Sequence, residues 1–239
     1  MSTPYNKEKP ETIQEMFGSI AQGYDRANAV LSFQMHKLWN RKLVQAVTKD
    51  LPHTLLDLCC GTGDIAFDYL RREKEPRKVL MLDFCPELLE IAKKKAQTYQ
   101  LQRHTIEYIQ ADAQALPLPD ASIPSATMAY GIRNIQDPLK SIKEVHRVLQ
   151  PGGIFGILEL TQPQNRFVRW GHKTYLSTCL PLLGKLVTQN QHAYEYLCNS
   201  IQNFIPPDHL ESLLKSAGFA HTSRRSLFLG TATLFLARK

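Results

Sequence analysis

The chain has 239 residues, 43% hydrophobic and 21% charged, the make-up of one ordinary globular domain with room for appended helices. No apolar run approaches the roughly 18–20 residues that cross a bilayer, and the polar first 15 residues lack a signal-peptide core, so the expected location is cytoplasmic. A formal charge of +7 favours anionic partners, nucleic acid or lipid head groups. The cations are scattered, however, and solvated helix faces account for most of them: residues 71–78 carry two glutamates, Lys93-Lys94-Lys95 falls on a predicted helix, and Arg224-Arg225 comes late.

Residues 1–10 are expected to fray. From 11 to 47, Ile13, Met16, Phe17, Ile20, Val30, Leu31, Leu38, Trp39, Leu43 and Val44 recur at helical spacing, which predicts two or three helices. An alternation follows, with strands predicted at 55–59, 79–83, 106–110, 125–130 and 154–160 and helices at 64–72, 86–99 and 138–148. Pro86 suits a first helical turn, 116–120 is a proline-rich loop, and Pro151-Gly152-Gly153 is a turn. Such alternation implies a parallel, doubly wound sheet. Near the end, a helix at 209–217 stops at Gly218, and strands at 219–223 and 227–237 close the chain. One domain is expected, with a helical cap (1–50), a cofactor-binding core (51–160), a helical lid insertion (161–205) and a closing helix and strands (206–239).

Within the insertion, residues 166–196 interleave Phe167, Trp170, Tyr175, Leu176, Leu180, Leu182, Leu183, Leu186 and Val187 with Arg166, Arg169, His172, Lys173 and Lys185. Such a stretch forms a lid over an apolar substrate, a surface that rests on a membrane, or an ordinary amphipathic helix pair. Cys59, Cys60, Cys85, Cys179 and Cys198 show neither a C-x-x-C pair nor metal-ligand spacing, so reduced, mostly buried thiols and no metal site are expected.

Residues 54–64, Thr-Leu-Leu-Asp-Leu-Cys-Cys-Gly-Thr-Gly-Asp, join a buried strand, a Gly-x-Gly turn and a helix start. Glycines let backbone N–H groups approach a ligand there, and a helix N-terminus favours an anionic group. Gly61 to Ala66 also fits the dinucleotide pattern G-x-G-x-x-A, so the turn alone does not choose a ligand. Asp83, twenty residues after Gly63, can accept two ribose hydroxyls in NAD and S-adenosylmethionine alike. Asp112-Ala113 can meet an adenine edge, and Thr62 between Gly61 and Gly63 is assigned to the cofactor. Asp57 suits a ligand with an ammonium group better than a pyrophosphate. With Pro-Gly-Gly before strand five and a closing strand pair after a long insertion, the order resembles the Rossmann-like, class I methyltransferases. The resemblance implies S-adenosylmethionine and a seven-stranded, mostly parallel sheet with an antiparallel last strand.

Ala129-Tyr130-Gly131-Ile132-Arg133-Asn134-Ile135 narrows this, because it resembles the Gly-hydrophobic-Arg-Asn signature of the UbiE/MenG C-methyltransferases of menaquinone and ubiquinone synthesis. The block from 17 to 41, the 108–117 stretch, the 180–187 segment, Tyr196-Leu197 with Ser200-Ile201, and Ala217-Gly218-Phe219 are similar to that family too. Three positions depart from it: Cys59-Cys60, where small residues are usual, Ala129 in place of a serine, and Pro124 in place of an acid. The resemblance implies C-methylation of a prenylated quinol, demethylmenaquinol first, with a ubiquinone precursor, another small phenol or RNA as alternatives. No basic groove with stacking aromatics favours nucleic acid. Arg133 is then expected to stabilise a phenolate with Asn134 as hydrogen-bond partner, and Tyr24, Asp25 and His36 are the candidates for taking the proton. Peripheral contact with the inner face of the membrane and a homodimer are further expectations.

Overall fold

The computed structural model describes residues 9–49, 53–179 and 191–239. Residues 1–8, expected to fray, the 180–187 segment and the Cys179 side chain lie outside the described residues. Three helices come first, α1 (Pro10–Ile20), α2 (Tyr24–Leu31) and α3 (Met35–Val47). The alternation then runs β1 (Thr54–Leu58), α4 (Asp64–Leu70), β2 (Lys78–Asp83), α5 (Pro86–Thr98), β3 (Thr105–Gln110), β4 (Ile123–Ala129), α6 (Pro138–Val148) and β5 (Leu149–Leu160). Helices α7 (Arg166–Thr174), α8 (Gln191–Asn203) and α9 (Pro207–Ser216) precede β6 (His221–Leu227) and β7 (Ala232–Arg238). Proline opens α1, α5, α6 and α9, where its missing N–H costs nothing. At α6 the Asp137 side chain also accepts the Lys140 N–H at 3.0 Å.

The seven strands form one sheet in the order β3-β2-β1-β4-β5-β7-β6, parallel except for β7, which runs antiparallel to both neighbours. Alternate residues feed two cores. Leu56, Leu58, Leu80, Leu82, Phe155 and Phe235 meet α6 and α9 on one face. Leu55, Val79, Met81, Leu158 and Leu234 meet α3, α4 and α5 on the other. Helix α3 reaches the sheet at Gly156, where an added Cβ would stand 2.4 Å from Val47 and 2.6 Å from Leu43.

The expectations shift in several places. Strands β1 and β4 stop one residue early because Cys59 (φ 51°) and Tyr130 (φ 57°) turn left-handed. Pro151-Gly152-Gly153 is a bulge inside β5, and the register against β4 jumps there from Ile123↔Leu149 to Ser125↔Ile154. The expected strand at 219–223 gives way to β6, while Phe219 is buried against His146 and Phe155. The expected strand at 227–237 is interrupted by the tight turn Phe228–Gly230, in which Phe228 (φ 41°) and Leu229 (φ 58°) are left-handed.

Candidate active site

Strand order reverses between β1 and β4, so their C-terminal ends open the crevice in which such sheets bind ligands. Both ends turn left-handed and pack against each other: a Cβ on Gly131 would lie 2.5 Å from Cys59 Cβ and 2.7 Å from its Sγ. The joined ends divide the crevice. On one side lies a narrow cleft of about 120 Å³ under α1, lined by Asp83, Phe84, Asp112, Ala113 and Asn134 among others. On the other is a cavity of about 780 Å³, walled chiefly by apolar side chains of α3, α7 and α8 and including His36, Thr62 and Arg133. Tyr24, Cys59, Gly61, Ala129 and Tyr130 line both and form the partition.

The glycine turn is fixed from below. The Gly61 N–H (φ 54°) donates to Asp83 Oδ2 at 2.8 Å, and the Cys85 N–H donates to Asp83 Oδ1 at 2.9 Å. Burial still holds the Asp83 carboxyl above its ordinary range, with these backbone donors opposing. Gly63 (φ 91°) has a packing reason, since a Cβ there would come within 2.4 Å of Phe67 and 2.8 Å of Met81. It lines neither cavity. Asp57 is 1% exposed, and its Oδ1 accepts the Thr127 hydroxyl at 2.8 Å. Its Oδ2 has no hydrogen-bond partner among the described residues, and burial lifts the acid to about 7. Asp112 accepts both the backbone and side-chain N–H groups of Gln114, which shapes the far end of the cleft.

The proposed catalytic residues divide between the two sides. Asn134 faces the cleft and accepts the Tyr196 hydroxyl of α8 at 3.0 Å, whereas Arg133 faces the cavity. Arg133 is buried, pairs with the fully buried Glu159 at 2.8 Å, and donates to the Tyr130 carbonyl and to Ser200 Oγ at 3.3 Å. Arg133 therefore has a structural ion pair as well as a place on the cavity wall. His36 also lines the cavity, its Nδ1 is 2.6 Å from Ser32 Oγ, and burial lowers its pKa. Burial raises that of Tyr24, opposed in part by Asn28 and by the charge of Arg133. Asp25 lines neither cavity; its carboxylate accepts the Thr62 hydroxyl and pairs with Lys95. Thr62 thus has a structural reason to stand between the glycines.

The sequence reading gives no site role to Lys95, Glu159 or Asn40, the last of which accepts the Tyr130 hydroxyl at 3.0 Å. Only Glu159 left a signal there, as an acid inside the apolar run of β5 that needs a buried partner. Lys95 was hidden in a lysine run.

Residues 5–239 match the ubiE/COQ5 methyltransferase family. The chain is 53% identical over 240 residues to the demethylmenaquinone methyltransferase of Protochlamydia amoebophila, covering all of this chain and 99% of that one. It is 42% identical to the demethylmenaquinone methyltransferase of Chlamydia pneumoniae, over 97% of each. The chain belongs to the ubiE/COQ5 methyltransferase family. The fold is shared more widely: the [4+2]-cyclase SpnF aligns over 99% of both chains at a TM-score of 0.73 and 15% identity. A methyltransferase dependent on S-adenosylmethionine from Thermotoga maritima aligns over 94% of this chain and 99% of that one at 0.63 and 20%.

Family and fold imply that this ubiE/COQ5 methyltransferase draws its methyl group from S-adenosylmethionine. The cleft suits that group. Gly61 leaves open space where a Cβ would meet only the Tyr24 ring at 3.8 Å, acids stand at both ends of the cleft, and the buried Asp57 has an unpartnered oxygen beneath the turn.

Proposed function

We propose that this methyltransferase methylates a ring carbon of a prenylated quinol, with demethylmenaquinol as the acceptor. The observation that carries the reading is the pair of cavities meeting at one partition, a narrow cleft that carries Asp83 and Asp112 on one side and a much larger apolar cavity on the other. An aromatic head group lodged at Tyr24 and Tyr130 would leave its tail among Leu160, Leu176, Leu197 and Ile201. The names of the relatives support the same acceptor.

S-adenosylmethionine, when bound, supplies a methyl group already activated on a sulfonium centre. Gly61, Asp83, Asp112, Ala113 and Asn134 would hold it in the cleft, with Asp57 answering its positive charge from below. The chain's remaining work is to orient the acceptor and manage its proton. A phenol loses its proton near pH ~10, so the cavity must favour the phenolate. Arg133 offers the oxyanion a guanidinium whose net charge is balanced by Glu159, so it acts through directed N–H dipoles more than through free charge. With the Ser32 proton donated to the Asn28 carbonyl, His36 Nδ1–H donates to Ser32 and leaves Nε2 bare to accept the phenol proton. Burial keeps His36 neutral near pH 7 and ready for that role.

Helices α7 and α8 act as the lid. Val168, Gly171 and His172 turn one face of α7 to the cavity, with Tyr175 just beyond its end, while Phe167 and Trp170 stand outward at 87% and 74% exposure. Phe33, Phe228 and Leu229 rim the same mouth, exposed and left-handed. Left-handed backbone is unfavourable for bulky residues, and holding three of them apolar side out at one mouth fits contact with a bilayer that delivers the tail. No helix among the described residues is long and apolar enough to cross a membrane.

The test is to incubate the protein with methyl-labelled S-adenosylmethionine and chemically reduced, short-tail demethylmenaquinol, then locate the label. Ring-carbon label is expected. Cofactor binding without transfer to this acceptor or to a ubiquinone precursor, or label on oxygen, would overturn the reading.

A further inference from the structure

The run Lys93-Lys94-Lys95 looks like a solvated helix face, yet its members part company. Lys93 pairs with Glu90 at the surface. Lys95, only 16% exposed, turns inward from the last turn of α5. Its Nζ lies 2.7 Å from Asp25 Oδ2, 2.8 Å from Asp64 Oδ1 and 3.2 Å from Thr62 Oγ1. Thr62 in turn donates to the other oxygen of Asp25. One ammonium thereby joins the first turn of α2, the glycine turn, the first residue of α4 and α5.

The charges explain why an ammonium is needed at that point. Asp25 and Asp64 both open helices, where a carboxylate suits the positive end of the helix dipole. The fold brings these two like charges around a single point, the Lys95 ammonium, and without a cation between them they repel. The residue before Asp25 is Tyr24, whose ring stands over Gly61 and lines both cavities. Whatever fixes Asp25 fixes the partition.

We infer that Lys95 is a positioning residue: its ammonium latches the N-terminal helical cap to the cofactor turn through Asp25, Asp64 and Thr62, and so sets Tyr24 between the two cavities. Asp25 then serves as the anchor of the cap, not as the base. The inference rests on the reading that the cleft takes S-adenosylmethionine, whose demethylated product, S-adenosylhomocysteine, is the probe.

The experiment compares wild type, Lys95→Met, Asp25→Asn and the double variant. Calorimetry measures S-adenosylhomocysteine binding, and hydrogen–deuterium exchange is read on the ligand-free proteins. In Lys95→Met, binding should weaken roughly three- to tenfold, the scale of a partly buried ion pair. Exchange should rise over residues 10–31 while the sheet stays protected. Adding Asp25→Asn removes the repulsion, so the double variant should bind no worse than Lys95→Met, a non-additivity that general damage would not produce. Unchanged exchange at 10–31 in Lys95→Met, a rise spread evenly over the sheet, or losses that multiply in the double variant would overturn the latch. Wild type that fails to bind the probe would instead sink the cleft assignment, and the exchange arm would still decide on Lys95.

Discussion

Asp57 is an acid sealed inside a strand, and its cost shows in how stability should vary with pH. Burial raises the folded acid from 3.8 to about 7, so between those values the folded state holds a proton that the unfolded chain has released. The contribution is most favourable below about pH 4, declines as pH rises through that window, and is flat above about pH 7. Urea unfolding of wild type at pH 5 and pH 8 should differ from that of Asp57→Asn by a slope on the order of 2 kcal/mol. Equal slopes would assign the dependence to other groups. Arg133 calls for a different comparison. Arg133→Met leaves Glu159 buried and unpaired, a loss of about 3–5 kcal/mol, so its inactivity would report on folding as well as chemistry. Arg133→Met with Glu159→Gln should recover most of the melting temperature while methyl transfer stays lost. If activity returned with stability, Arg133 would be a structural residue only.

Among the elements, α3 depends on one missing side chain. Gly156 lets Leu43 and Val47 touch β5, and Gly156→Ala should cost about 1–3 kcal/mol through overpacking, visible as an earlier urea midpoint with an unchanged slope. An unaltered midpoint would mean that α3 can shift freely. The elements themselves were largely legible, because apolar spacing and proline punctuation are local signals: Pro86 and Pro138 open their helices where the sequence puts them. The left-handed ends at Cys59 and Tyr130 were not, since no glycine marks either position. Phe228 and Leu229 read as strand because apolar residues resemble core whether they face inward or out. At the site, the glycine turn and the Gly-Ile-Arg-Asn segment stood out as motifs. The opposite facing of Arg133 and Asn134, and the inward turn of Lys95, depend on contacts between segments far apart in sequence, which a single chain's pattern does not carry.

Taken whole, the chain combines a charge of +7 with an apolar rim around one mouth. On the proposed membrane contact, electrostatic attraction would bring the protein to an anionic surface and apolar insertion would hold it there. Replacing Phe33, Trp170 and Leu229 together with serine should lower sedimentation with vesicles containing anionic lipid severalfold, while S-adenosylhomocysteine binding stays the same. Undiminished sedimentation would place the membrane contact elsewhere.

The partition has a kinetic consequence. The cleft is bordered by Pro10, Ile13, Gln14 and Phe17 of α1, whereas the cavity is bordered by α7, Phe33, Phe228 and Leu229. If the cavity mouth rests on lipid as proposed, spent donor can leave by the cleft while that mouth stays seated, and the enzyme need not lift off between turnovers. With vesicles in large excess over protein, product formation should burst and then stall once each occupied vesicle has been worked through, resuming when fresh enzyme is added: surface scooting in place of hopping.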